Sequence, residues 1–127
     1  MPLDHISISV PSDKHSQVVD FYKKLLKPMS YEVRMNFGQV VGMGSTEAGP
    51  TSIDFWIAAT EGTATTAHLA FSAKDRSTVD EFHSGALAAG AKCNGPPGLR
   101  PNYHPNYYGA FVIDPIGNNI EAVCHSG

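Results

Sequence analysis

At 127 residues, 42% of them apolar, the chain has the size of one domain with a real core, and its net charge is −3. A pI near 6.0 and the lack of any Lys/Arg cluster argue against nucleic acid or anionic membrane as partners. No apolar run approaches the ~20 residues of a spanning helix. The start, Met1-Pro-Leu-Asp-His5, lacks the regions of a signal peptide, so a cytoplasmic protein is expected. Cys93 and Cys124 are too few for a disulfide framework and lack C-x-x-C spacing; both are expected to be reduced packing residues.

Asp4 to Val10 alternates with period two: Ile6, Ile8 and Val10 face one way, and His5, Ser7 and Ser9 the other. Pro11-Ser12-Asp13 ends this strand, and Ser12 or Asp13 can cap a helix. Val18, Phe21, Tyr22 and Leu25 form an apolar stripe over a helix from about Lys14 to Lys27, closed by Pro28. Strands are predicted over Tyr31 to Met35 and Gln39 to Met43, with a loop from Gly44 to Pro50. A further strand is predicted over Thr51 to Ala58, with Asp54 and Trp56 opposite Ile53, Phe55 and Ile57. Gly42-Met-Gly44 is too short and too poorly placed for a phosphate loop.

After a small polar linker, Glu61 to Thr66, the order repeats. Ala67 to Ala73 sets His68, Ala70 and Ser72 against Leu69, Phe71 and Ala73. Asp75 to Thr78 offers caps for a helix carrying Val79, Phe82, Ala86 and Ala89, which Gly90 stops. A strand is expected over Ala91 to Asn94, then a loop from Gly95 to Asn106. Last comes a hairpin: Ala110 to Ile113, the turn Asp114-Pro-Ile-Gly-Asn118, and Asn119 to Cys124. Proline presets φ in that turn, and Gly117 or Asn118 can take a positive φ.

Each half therefore reads β-α-β-β-β, and a helix on one face of each sheet leaves the other face for a cleft. The two halves superpose by eye. His5-Ile-Ser-Ile-Ser sets against His68-Leu-Ala-Phe-Ser, and Ile53-Asp54-Phe55-Trp56 against Ile120-Glu121-Ala122-Val123. Each half then has a histidine early in its first strand and a carboxylate in its last. Glu121 stands inside an apolar strand, where a carboxylate needs solvent or a partner.

These residues carry a resemblance. His5 with the V-V-D-F-Y helix, His68, and Phe111-Val-Ile-Asp-Pro-Ile-Gly-Asn-Asn-Ile-Glu121 resemble the vicinal oxygen chelate superfamily. That superfamily includes glyoxalase I, bleomycin- and fosfomycin-resistance proteins and extradiol dioxygenases, and the resemblance covers nearly the whole chain. It implies an α+β fold of two βαβββ modules, about 1–60 and 67–127, in a single domain. It also implies a divalent metal (Zn, Ni, Mn or Fe) held by the first and last strands of each module. Carried over by position, the metal ligands are His5, His68, Glu121 and, at the fourth place, Asp54. Aspartate is a methylene shorter than the usual glutamate or glutamine there, and the competing reading of Asp54 is a residue beside the site or a solvated one.

Independently of the family, two imidazoles and one carboxylate suit a borderline divalent ion and leave positions open for substrate oxygens. The loop from Leu99 to Tyr108 is stiffened by proline and carries Arg100, Tyr103, His104, Tyr107 and Tyr108. Such loops wall ligand pockets. Arg100 can receive a substrate carboxylate or phosphate, His104 or a tyrosine can move a proton, with Glu121 and His104 the candidate catalytic residues, and Trp56 is either core or a pocket wall. Each of these residues also has a plain structural reading.

The expected activity is that of a metal-dependent lyase or isomerase of lactoylglutathione-lyase type, acting on a small substrate with adjacent oxygens. The alternatives are a metal-free ligand-binding protein of bleomycin-resistance type and a thiol transferase of fosfomycin-resistance type. A six-residue linker reaches ~20 Å, which favours halves set side by side. A homodimer is therefore expected, each site taking His5 from one chain and His68 with Glu121 from the other.

Overall fold

The computed structural model describes residues 4–62 and 66–127. The chain divides between residues 65 and 66 into two compact units. The middle of the expected linker, 63–65, lies outside the described residues.

In the first unit the alternating segment forms β1 (Ile6–Pro11), with Ile8 and Val10 buried and Ser7 and Ser9 exposed. Helix α1 (His15–Leu25) buries the predicted stripe of Val18, Phe21, Tyr22 and Leu25. Its start differs from expectation. Ser12 to Lys14 wind into a 3-10 turn, and no side chain caps α1. His15 is buried in α1, and its Nε2 donates to the Ile57 carbonyl at 2.9 Å. Pro28 lies in a second 3-10 turn, Lys27–Met29, which Ser30 closes in the left-handed region.

Strands β2 (Tyr31–Asn36), β3 (Val40–Ser45) and β4 (Phe55–Thr60) complete a sheet in the order β1-β4-β3-β2, with β1 parallel to β4. Strand β4 starts four residues later than the Thr51 expected from the sequence. Thr51 to Asp54 are not strand, because the chain there passes over β3 instead of pairing with it throughout. A Cβ on Gly44 would lie 1.8 Å from the Ser52 carbonyl oxygen, and one on Gly42 would lie 2.7 Å from the Trp56 ring. The two glycines are thus required for close packing.

The second unit repeats the order: β5 (His68–Ser72), α2 (Arg76–Ala88), β6 (Lys92–Leu99), β7 (Tyr108–Ile113) and β8 (Asn119–Cys124), in sheet order β5-β8-β7-β6. The α+β architecture of two βαβββ modules is as expected from the sequence. Asp75 caps α2, accepting from the Thr78 backbone N–H at 2.8 Å and the Thr78 hydroxyl at 2.6 Å. These bonds, with one from Ser77, hold its carboxyl below the usual range. Gly90 follows α2 at φ 102°. Val79, Phe82 and Ala86 of α2 pack on β6, β7 and β8, over Ala110, Val112, Ile120 and Ala122.

Strand β6 runs to Leu99, through residues expected to be loop. As the edge strand it tolerates Pro96 and Pro97 by slipping register twice, between Cys93 and Gly95 and between Gly95 and Gly98. Cys124 is buried, but Cys93 is exposed, so only the former is a packing cysteine. Among the described residues no helix is long and apolar enough to cross a membrane.

The turn between β7 and β8 is built on Asp114, which is buried. Its Oδ1 accepts from the backbone of Ile116 and Asn118, and its Oδ2 from the Asn118 side chain at 2.8 Å. Gly117 takes the positive φ, 97°. Asn118, fully buried, in turn accepts from the Ala67 N–H at 2.7 Å. Asp114→Ala should therefore strand buried donors and cost roughly 2–4 kcal/mol in chemical denaturation; an unchanged midpoint would show the network to be dispensable. Gly44→Ala should cost about 2 kcal/mol or more by overpacking, and a wild-type melting temperature would contradict the close approach of Ser52.

Candidate functional site

The register of the second sheet sets Glu121 between Ala70 of β5 and Phe111 of β7. Its neighbours Ile120 and Ala122 are buried toward α2, so period two turns Glu121 to the helix-free face. His68 stands two residues before Ala70 and shares that face. The structure brings these two together: His68 Nε2 lies 3.2 Å from Glu121 Oε1.

Their surroundings differ. The imidazole is half exposed, whereas the carboxylate side chain is only 3% exposed. His68 Nδ1 is 3.0 Å from the Asn119 carbonyl oxygen. A carbonyl only accepts, so Nδ1 carries the hydrogen and Nε2 is the nitrogen turned to Glu121. The two atoms face each other across 3.2 Å, close enough for one cation to bridge them. The donor set fits a divalent cation, with a second nitrogen fixed by a carbonyl as ligating histidines usually have.

The other Glu121 oxygen, Oε2, accepts the Tyr107 hydroxyl. Gly109 makes room for this; a Cβ there would sit 3.3 Å from the Tyr107 ring and 3.5 Å from Oε2. Burial, and then the bond to and charge of Glu121, push the Tyr107 hydroxyl up to about 12. It stays a donor at any physiological pH. Rings of Tyr103 (4.8 Å between centroids), His104 (5.5 Å) and His125 (5.3 Å) surround it.

His104 was expected to move a proton, but both its nitrogens are engaged. Nδ1 accepts from the Asn106 N–H at 3.1 Å, and Nε2 is 2.8 Å from His125 Nδ1. No lone pair is left for a substrate proton. His125 carried no sequence signal: 21 residues separate it from His104, and only the return of β8 beside the loop joins them.

Arg100 donates to the Pro96 carbonyl at 2.7 Å and lies 5.5 Å from the Phe111 ring centroid. Phe111 also stacks with His68, at 6.3 Å between ring centroids. Tyr108 is turned away from Glu121. Its hydroxyl bonds Asp80 of α2 at 2.7 Å and its ring lies under Arg76, so it does not line the face that carries His68.

In the first unit, His5 precedes β1 and is exposed, with Nδ1 2.6 Å from Asp4 Oδ1. As in His68, Nδ1 is the engaged nitrogen, which leaves Nε2 of His5 for a further partner. Asp54 departs from the expected equivalence with Glu121. The β1–β4 ladder pairs Ser7 with Trp56, as the β5–β8 ladder pairs Ala70 with Glu121. Since His5 and Ser7 match His68 and Ala70, the counterpart of Glu121 is Trp56. Asp54 lies two residues earlier, outside the strand, where alternation does not hold: Ile53 and Trp56 both crowd Gly42, and Asp54 instead accepts the Tyr31 hydroxyl at 2.9 Å. Burial and that bond raise the Tyr31 pKa. Asp54 Oδ1 is buried with no hydrogen-bond partner among the described residues. Among the described residues, too, no three His, Cys, Asp or Glu side chains converge on a metal position.

The sequence pattern of the Glyoxalase/Bleomycin resistance protein/Dioxygenase superfamily matches residues 3–122. No curated protein matches the chain. Among solved structures, a glyoxalase/bleomycin resistance protein from Albidiferax ferrireducens is 26% identical, with a TM-score of 0.77 over 95% of this chain and 96% of that one. A glyoxalase/bleomycin resistance protein/dioxygenase family enzyme from Burkholderia phytofirmans is 18% identical, with a TM-score of 0.73 over 98% and 99% of the two chains. A glyoxalase-related enzyme from Fulvimarina pelagi is 12% identical, with a TM-score of 0.74 over 98% and 88%. The last two share the fold alone. With its sequence matched over nearly its full length, the chain belongs to the glyoxalase/bleomycin resistance protein/dioxygenase superfamily.

Proposed function

We propose that the protein is a divalent-metal-dependent lyase or isomerase of lactoylglutathione-lyase type, acting on a small substrate with adjacent oxygens. The observation that carries this is the approach of His68 Nε2 to the buried Glu121 Oε1 at 3.2 Å, with Nδ1 already spent on Asn119. His68 and Glu121 would hold the ion. His5 is the proposed third ligand, its Nδ1 occupied by Asp4 in the same sense. When bound, a zinc, nickel, manganese or iron ion supplies Lewis acidity toward two substrate oxygens.

The chain's own residues then do the rest. Glu121 keeps one oxygen toward His68 and the other on Tyr107. Phe111, stacked with His68, gives the substrate an apolar wall, and Trp56, at the position matching Glu121 in the other module, is proposed as a second. Asp54, bonded to Tyr31, is assigned no ligand role. The proposed assembly is a homodimer with two equivalent sites, each combining His5 of one chain with His68 and Glu121 of the other; the short linker supports it.

Elemental analysis of purified protein should find about one divalent metal per chain, and His68→Ala should lose most of it. Full retention in that variant would remove the assignment. Hemithioacetal isomerisation is the first activity to assay. For the assembly, His5→Ala and Glu121→Ala chains, each metal-free alone, should recover metal when mixed, at one site per heterodimer. A monomer at micromolar concentration that still binds metal would rule the shared site out.

A further inference from the structure

A carboxylate that accepts one hydrogen bond on a single oxygen is free to rotate about its last bond unless the bond is held. Glu121 is held. Its Oε2 takes the Tyr107 hydroxyl while Oε1 faces His68, so the two oxygens are already distinguished. Tyr107 itself has little freedom. Its backbone N–H donates to the His104 carbonyl at 3.2 Å and its carbonyl accepts from the Arg100 N–H at 2.7 Å, closing the loop from both ends. Three rings hem in its phenol, and two of them, His104 and His125, are joined at 2.8 Å. Gly109 lies beneath it, where a Cβ would come within 3.3 Å of the ring and 3.5 Å of Oε2.

We propose that Tyr107 is a positioning residue for metal binding: its hydroxyl occupies Glu121 Oε2 and so presents Oε1 alone to the ion beside His68. The loop from Arg100 to Tyr107 is then a brace for the carboxylate and not a substrate wall. This rests on the metal-dependent reading above. It goes beyond it by assigning the loop's conformation, and the His104–His125 pair that supports it, to the geometry of one ligand oxygen. A carboxylate freed of the phenol could turn, offer both oxygens to the ion, or leave it for water.

The test is titration of the metal-free protein with cobalt(II), read by its visible absorption. Tyr107→Phe keeps the ring and its packing and removes only the hydroxyl. It should weaken cobalt binding by about 10- to 100-fold, the usual loss for a partner of a ligand, and should change the shape of the cobalt spectrum as the carboxylate alters its mode. Tyr108→Phe removes a phenol that bonds to α2 instead, and should leave affinity and spectrum at wild type. If Tyr107→Phe binds cobalt with wild-type affinity and spectrum, the positioning role is overturned and the metal site stands. If the wild-type protein takes up no cobalt, the metal reading falls and this proposal falls with it.

Discussion

A carboxylate buried in the middle of an apolar strand is the constraint on which the second unit turns. Glu121 is 2% exposed, and its backbone is committed to ladders with β5 and β7. An uncompensated ion in that setting costs several kcal/mol even after relaxation. Compensation comes from two directions. His68 arrives at the head of β5 to meet Oε1, and Tyr107 arrives from the loop before β7 to meet Oε2. The approach of Tyr107 uses the room that Gly109 leaves beside its ring and Oε2.

The turn between β7 and β8 is what sets this meeting. Asp114 organises its own turn through the backbone N–H groups of Ile116 and Asn118. Asn118, held by Asp114, takes the N–H of Ala67, and the Asn119 N–H donates to the Ala67 carbonyl at 2.9 Å. The residue before His68 is therefore clamped to the residues that open β8. The Asp-Pro-x-Gly-Asn stretch does more than reverse the chain: it fixes the register that brings an imidazole beside a carboxylate.

The two units share one topology and differ in chemistry at the matching place. Where the second sheet has Glu121, the first has Trp56, its ring laid against a position that only glycine can occupy. An aromatic ring needs area and a flat surface, which Gly42 provides. A carboxylate needs polar partners, which the second unit brings as the donating Tyr107 hydroxyl and the imidazole of His68. Asp54, close by in sequence to Trp56, is satisfied on one oxygen by Tyr31. Duplicated architecture has thus been filled with a charged group on one side and an apolar one on the other.

Periodicity was enough to reveal the repeated βαβββ order, the buried stripes of α1 and α2, and the shared face of His68 and Glu121. Each is a local property: period two or 3.6 states which way a side chain points relative to its neighbours. The Asp-Pro-x-Gly-Asn turn was legible for the same reason, since its φ demands are local. Tertiary structure alone decided the rest. Sequence offsets matched Asp54 to Glu121, but ladder hydrogen bonds between distant strands set the register and chose Trp56. Edge position let β6 continue through two prolines that read as loop. The contacts of Tyr107 with Glu121, and of His104 with His125, join residues 14 and 21 apart. No local pattern encodes such contacts, because they depend on where the strands and loops return.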